Sequence, residues 1–488
     1  MSLAGSFNSR DAEHKLYVAF VAVVLAAAAT SIFLESPLPF VLPVGLLLLL
    51  AVGTDFRRLF YLLFALLPFS AEFYFEGVGL GTDIPSEPVM ILLSGIAIVL
   101  LLRNRLSMDR NYVTNPVMIL ILLHVFWIFV TAINSQNLLV SFKFLLAKIW
   151  YILPFFILPL IFSKEVGDLE KSYRILYKFL FASISIVLVR HAFEGFTFEA
   201  SYDVVRPFFR NHVNYAAICV VCLPFVWAFH RINVLEKKPS FGLNVVFLVF
   251  VTGIYFSFTR AAILSMVIAW GAWFIIKRRW VRQALIISSI VAAAGIIFLS
   301  WDNKYMDFAP DFEKTITHTE FDNLLEATYK LEDISSMERV YRWMAGVEMI
   351  RDKFWLGFGP GCFYSNYQAY SISSFKTYVS NNPDQSGIHN YFLMTWVEQG
   401  FIGFILFLML CFALLIEGEA TYHRCTDKRD GYLIMATTLG FIIIFAMCLI
   451  NDLIETDKVG PFFFFNAAIL LFYRKKYPDD QKSSPKLR

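Results

Sequence analysis

NPVMILILLHVFWIFVTAI, residues 115–133, decides the fold class: nineteen residues pass without one charged side chain. At about 1.5 Å per residue, a helix of that length crosses a hydrocarbon core of roughly 30 Å. Runs of the same kind recur along almost the whole chain. Candidate spans are 16–34, 37–53, 59–75, 88–102, 115–133, 143–163, 175–193, 213–229, 243–258, 260–276, 283–300, 390–416, 431–450 and 459–473. The composition agrees: 58% of the 488 residues are hydrophobic and 17% charged, where a soluble globule carries about 25% charged residues. The expected fold is an all-α polytopic membrane protein of about 14 transmembrane helices, one bundle rather than a string of soluble domains. The stretch Leu16–Leu34 is long enough to be a first span, and no cleavable signal peptide is evident.

The net charge of +3 carries no message as a total, because the charges sit between the apolar runs and alternate there. One set of gaps holds Arg57 and Arg58, Arg103 to Arg110, Lys164 to Arg174, His230 to Lys238, Lys277 to Arg282, Arg424 to Arg429 and the tail from Arg474. The other holds Glu35, Glu76 to Glu87, Asn134 to Ser141, Glu194 to Asn211, Thr259, the long stretch 301–389 and Asn451 to Lys458. The first set is basic, and the positive-inside rule makes it cytoplasmic. Both termini are then expected in the cytoplasm and the long loop outside. The organisation expected is a first part of the bundle over 1–300, an outer loop over 301–389, further transmembrane helices over 390–473 and a cytoplasmic tail over 474–488.

Arginines on the outer side run against that rule: Arg206, Arg210, Arg260, Arg339, Arg342 and Arg351. A bound anion is a natural reason for them. Within the outer loop, Val340, Trp343, Met344, Val347, Ile350 and Phe354 recur at helical spacing. They predict an amphipathic helix over 337–355, with Arg339, Arg342 and Lys353 on or beside its polar face. Gly357-Phe358-Gly359-Pro360-Gly361 follows. It reads either as an anion cradle of exposed N–H groups or as a plain turn returning the chain to the membrane. His389 and Asn390 then open a span. His389 is placed to be either an interfacial residue or a base, and Asn390 or a neighbour can cap the helix. Glu398, nine residues on, points to the opposite face. Cys219 and Cys222 form a CxxC inside an apolar run, where packing is the expected role. Asp452, Glu455 and Asp457 read as a solvated loop, and no acidic metal cluster or cofactor motif stands out.

Four blocks in order resemble the O-antigen ligase and polymerase superfamily: Arg206-Pro-Phe-Phe-Arg210-Asn211-His212-Val-Asn214; Phe256-Ser257-Phe-Thr259-Arg260-Ala261; Arg339-Val-Tyr-Arg342-Trp343 running into the glycine turn and Tyr367; and His389-Asn390-Tyr-Phe-Leu393 running into Glu398-Gln-Gly400 and Gly403. In the first block Pro207-Phe208-Phe209 stand where the superfamily commonly has a glycine-rich lead-in. The resemblance implies a glycosyltransferase that takes a glycan from a polyprenyl (undecaprenyl) diphosphate carrier and moves it to an acceptor hydroxyl, on the outer face of a bacterial inner membrane. Its partners would be that donor, a glycan or lipid acceptor and the bilayer, with no nucleic acid and no metal or other cofactor. A repeat-unit polymerase is the reading favoured by the high span count. A ligase acting on lipid A core and an O-linked protein oligosaccharyltransferase remain open. A transporter of lipid-linked sugars is the alternative from another class.

The resemblance points to Arg260, Arg339 and His389 as the working residues. Guanidinium groups bind phosphate oxygens in a fork and hold charge that develops on a leaving group. Histidine titrates near neutrality and suits a base. Arg206, Arg210, Ser257, Thr259, Arg342, Gly359, Gly361, Tyr367 and Asn390 are candidate substrate contacts, Thr259 being equally readable as a helix cap. A single displacement would invert the anomeric centre.

Overall fold

The computed structural model describes residues 55–75, 80–103, 108–163, 166–302, 334–372 and 387–478. The expected spans 16–34 and 37–53, the acidic part of the long loop up to 333 and the tail from 479 lie outside the described residues. The chain divides into residues 1–63 and 64–488. Of the first unit, residues 55–63 are described; they contain the start of helix α1 (Phe56–Leu66). The rest of the account concerns the second unit.

Single turns aside, its helices are α2 (Ser86–Arg103), α3 (Pro116–Ile133), α4 (Leu138–Ile152), α5 (Val166–Phe193), α6 (His212–Leu235), α7 (Phe241–Phe256), α8 (Arg260–Lys277), α9 (Val281–Ser300), α10 (Ile334–Asp352), α11 (Tyr391–Arg424), α12 (Lys428–Cys448) and α13 (Gly460–Lys476). The α3 helix starts where the sequence says it should: Asn115 accepts from the Val117 amide at 2.8 Å, and Pro116 takes the first position, where no donor is needed. Helix α4 continues through a π-helical turn, Leu153–Ile157, to Phe162. Pro154 and Pro159 lack amide donors, which lipid tolerates only where protein surrounds the backbone, and here both are buried.

Among the described residues nine helices are long and apolar enough to cross a membrane: α2–α6, α8, α9, α11 and α12. Helix α7 is apolar but shorter. Large apolar side chains such as Ile290 (62% exposed) and Val291 (65%) crowd the outside of α9. Only a lipid surround makes such a belt stable. The expected 59–75 span is corrected. Helix α1 stops at Leu66, Pro68 begins a 3₁₀ turn, and Ala71–Phe75 pairs antiparallel with Leu80–Ile84, placing Glu72 opposite Asp83. The protein is therefore helical except for this small hairpin among the described residues. The short, Phe-rich α13 is enclosed by protein: Phe462 and Phe465 are 0% exposed and Asn466 accepts from the Tyr173 hydroxyl at 2.5 Å.

The interhelical segments fall into two groups, each tied together internally. In one, Asp109 meets Lys475, Arg429 reaches Glu170 (2.7 Å) and Glu236 (3.2 Å), Arg424 and Arg474 both meet Glu417, and Glu419 accepts from the Val281 amide. In the other, Lys458 donates to the carbonyls of Leu67 and Ser70, Arg210 pairs with Glu72, Ser141 donates to the Pro360 carbonyl, and Thr259 donates to the His212 carbonyl. Most of these residues fall in or next to the two alternating sets of gaps read from the sequence, while Leu67, Ser70 and Glu72 lie within the expected span 59–75.

At the second end α11 is broken. Gly400 has φ 69°, ψ −176°. The groups the break releases are taken by the segment after α10: the Phe401 amide donates to the Phe354 carbonyl (2.8 Å), Phe358 to Val397 (3.0 Å) and Gly359 to Glu398 (2.9 Å). Trp127 Nε1 donates to the Gln399 carbonyl at 2.8 Å. The Glu398 carboxylate then accepts from the amides of Gly361 (2.8 Å) and Phe363 (3.1 Å). Gly357, Gly359 and Gly361 all have positive φ, and a Cβ on Gly357 would lie 2.5 Å from the Glu398 carbonyl carbon. Removing the carboxylate in Glu398→Ala strands two amides and is expected to lower stability by about 3 kcal/mol. Glu398→Gln, which keeps one acceptor, should lose about half as much. Thermal unfolding in detergent, followed by tryptophan fluorescence, reads both; equal losses in the two variants would refute the assignment.

Candidate active site

The site grows from the connection between α10 and α11. The α10 helix begins at Ile334, three residues before the expected start, and ends at Asp352. Its best-buried face carries Glu338, Tyr341, Arg342, Ala345 and Met349, and it packs against α11. Arg342 was expected on or beside a polar face; the structure turns it inward, 6% exposed. The apolar stripe read from the sequence is only half-buried over Val340, Trp343, Met344, Val347 and Ile350. Small residues explain the difference. Ile388 fits over Gly346, where a Cβ would come within 2.5 Å of its Cδ1, so the close contact uses a residue that hydrophobicity counting ignores.

Arg342 ties α10 to the segment opening α11. Its Nη1 donates to the Gly387 carbonyl at 3.1 Å and its Nη2 lies 3.5 Å from Glu338. Ile388 is fully buried. His389 has φ +56°, in the left-handed region that β-carbon-bearing residues avoid. Its amide donates to Asp452 Oδ2 at 2.9 Å, and a Cβ on Gly387 would meet that same oxygen at 2.5 Å. Asp452 thus fixes the backbone that presents His389. Asn390 caps α11, accepting from the Leu393 amide at 3.0 Å.

Charge concentrates here. Burial first, and then the positive charges of Arg339 and Arg342, hold the His389 imidazole down to about 3, so it is neutral at physiological pH. Burial pushes the Asp452 carboxyl up to about 7, against the hydrogen bonds from the His389 and Asn390 amides. The charge of Arg339 also acts on His212, the first residue of α6. His212 in turn is joined to the second sequence block, since Thr259 Oγ1 donates to its carbonyl at 3.3 Å. The four blocks therefore meet through Thr259, His212, Arg339 and His389, although these residues lie far apart in the chain.

The other candidates have definite places. Arg260 is half-buried and opens α8 directly after Thr259. Thr259 stands at the N-cap position, but its hydroxyl makes no cap bond and goes to the carbonyls of His212 and Ser257. Ser257 donates to the Ile254 carbonyl at 2.6 Å and receives the Thr259 amide. Arg206 is exposed and its carbonyl accepts from Arg190; Arg210 is exposed and lies 3.6 Å from Glu72. The amides of Gly359 and Gly361 go to the backbone and side chain of Glu398. Tyr367 is 0% exposed and stacks on Phe363 with centroids 5.0 Å apart.

The acidic segment after α12, read as a solvated loop, is drawn into the protein. Lys148, 2% exposed, pairs with Glu455 at 2.6 Å and donates to the Tyr391 hydroxyl at 3.0 Å. Lys458 pairs with Asp457 at 3.2 Å, both buried. Asp452 and His212 are not among the candidate contacts in the sequence, yet Asp452 accepts from the His389 amide and His212 feels the charge of Arg339. Gly387 before His389 was visible, but no spacing rule connects His389 to a carboxylate 63 residues later.

Residues 245–408 match a family model described as O-antigen ligase. The match takes in the second, third and fourth blocks and supports the resemblance to the O-antigen ligase and polymerase superfamily. No curated protein matches the chain.

Because the folded state holds the Asp452 proton and the unfolded chain releases it near 3.8, this group stabilises fully below 3.8 and loses that contribution as pH rises through about 7. Asp452→Asn keeps an acceptor for the His389 amide and cannot ionise. Its melting temperature relative to wild type should climb between about pH 5 and pH 7; a pH-independent difference would refute the carboxyl's raised pKa. Asp452→Ala removes the acceptor and should be less stable than Asp452→Asn at every pH in that range.

Proposed function

We propose that the protein is a glycosyltransferase that moves a glycan from a polyprenyl diphosphate carrier to an acceptor hydroxyl, and that it polymerises polysaccharide repeat units. The observation that carries this reading is the convergence of Arg339, Arg342 and two histidines at one end of a membrane bundle. A lipid diphosphate presents its charge at that depth, beside its own hydrocarbon. The opposite end bears the arginine- and lysine-rich segments, so the positive-inside rule assigns the site to the outer face of a bacterial inner membrane, with both termini cytoplasmic.

In the proposed reaction the bond between the anomeric carbon and the diphosphate oxygen breaks, and that carbon joins the acceptor oxygen. The acceptor proton passes to His389, and the electron pair leaves on the diphosphate. Arg339 and Arg260, with Arg342 behind them, take up the growing negative charge in place of a metal. Two arginine charges depress the basicity of His389 in the empty site. A diphosphate seated on them supplies compensating negative charge and raises it again. The base thus becomes competent when the donor is bound. One direct displacement inverts the anomeric configuration.

The family description favours a second reading, transfer of a finished glycan to a lipid A core. It uses the same donor chemistry and differs in the acceptor. Purified protein is mixed in detergent with a polyprenyl-diphosphate oligosaccharide and EDTA, and products are followed by gel and mass spectrometry. Wild type is expected to extend the glycan. His389→Ala and Arg339→Ala, still folded, should each be slower by about 100-fold or more. Donor consumption only on adding lipid A core would make the protein a ligase, and only on adding a protein acceptor an oligosaccharyltransferase. Retained anomeric configuration rules out the single displacement, and no donor consumption with any acceptor rules out the transferase.

A further inference from the structure

We infer that His212 is a further substrate-contacting residue of this site, donating a hydrogen bond from its imidazole Nδ1 to a diphosphate oxygen held by Arg339. The inference rests on the glycosyl-transfer reading for the identity of the anion.

The Nδ1 atom of His212 is buried and has no hydrogen-bond partner. An orphaned buried polar atom is costly, and its persistence calls for a cause. Histidines with structural roles in this protein look different. His124 Nε2 meets Gln399 Oε1 at 2.9 Å, His191 Nε2 meets the Thr197 carbonyl at 2.9 Å, and His423 Nε2 meets the Ile276 carbonyl at 2.7 Å. Each of these binds a neighbouring element, whereas the buried nitrogen of His212 binds none.

The backbone of His212 is held on two sides. Asn211 before it caps α6, accepting from the Asn214 amide at 2.9 Å, and Thr259 grips the His212 carbonyl. The imidazole itself stands edge-on to Tyr202, with ring centroids 4.5 Å apart and planes at 74°. A side chain fixed this closely, with one nitrogen uncommitted, is built for a directional contact.

The charge of Arg339 acts on both His212 and His389. His212 places an unpartnered ring nitrogen beside that charge. A ligand that satisfies a guanidinium and a ring N–H together is an anion with several acceptor oxygens, and a diphosphate has that form. The two histidines then divide the work: His389 receives the acceptor proton, and His212 binds the group that departs.

The test uses inorganic pyrophosphate as the probe. Its affinity for the full-length protein in detergent is measured by calorimetry for wild type, His212→Ala and His212→Asn, alongside donor turnover. In His212→Ala pyrophosphate should bind about tenfold more weakly, and donor KM should rise with the melting temperature of the free protein little changed. His212→Asn, whose carboxamide keeps a donor near the Nδ1 position, should recover part of the affinity. Unchanged pyrophosphate affinity and turnover in His212→Ala, with wild type active, overturns the inference and leaves the glycosyl-transfer reading standing. Pyrophosphate binding that depends on His212, without donor consumption by wild type, supports the anion site and overturns the transfer reading.

Discussion

The break in α11 at Gly400 is the constraint on which the candidate site depends. A helix surrounded by lipid cannot leave backbone groups unpaired, so an interruption needs partners at the same depth. Those partners are the carbonyl of Phe354 and the amides of Phe358 and Gly359, with Trp127 closing the remaining carbonyl. The segment after α10 is thereby fastened to α11 through the backbone, and the Glu398 carboxylate extends the fastening to Phe363. Because α10 leads directly into that segment, the C-terminal end of the arginine-bearing helix is anchored by the same set of bonds. Close packing accounts for the three left-handed glycines: a Cβ on Gly357 would run into the α11 backbone at Glu398 and Gly400, and Cβ atoms on Gly359 and Gly361 would run into Ser135 and Val140.

In the middle of α10, electrostatics takes over from backbone pairing. Arg342 reaches the Gly387 carbonyl, and Asp452 holds the His389 amide from below. Asp452 itself belongs to a segment pinned by Lys148 through Glu455 and by Lys458 through the carbonyls of Leu67 and Ser70. Buried ion pairs contribute little net stability, but breaking one is expensive. Their value here is in position: two lysines fix a short connection so that one carboxylate stands under a strained histidine. The left-handed φ of His389 persists because its neighbours over-determine it.

Much of this was legible in the sequence, and the parts that were not share a cause. Helix boundaries such as 115–133 and 213–229 are local, set by hydropathy and by caps such as Asn115, and they emerged within a few residues. Many of the joined residues lie in the alternating charged gaps, while Leu67, Ser70 and Glu72 lie in a run that reads as a span. The hairpin at 71–84 was hidden because Ala71–Phe75 continues an apolar run, and only the pairing partner distinguishes strand from helix. The inward Arg342 was hidden because the face it occupies is formed by Ala345, Gly346 and Tyr341, which carry a weak hydrophobic signal. Asp452 and Lys148 were hidden because their roles exist only in pairs hundreds or tens of residues apart.

The same distinction separates the residues of the four blocks. Those whose side chains are consumed locally, such as Asn390 on the Leu393 amide and Ser257 on the Ile254 carbonyl, shape the frame. Arg339, His389 and His212 are grouped instead by charge acting across elements. A motif read from sequence contains both kinds without a mark to tell them apart, since a cap and a ligand-binding amide are the same residue. Burial and hydrogen-bond accounting supply the mark. Where a polar group already has its partner, folding is a sufficient reason for it. Where a buried group such as His212 Nδ1 has none and stands beside the charge of Arg339, a bound anion can supply the partner.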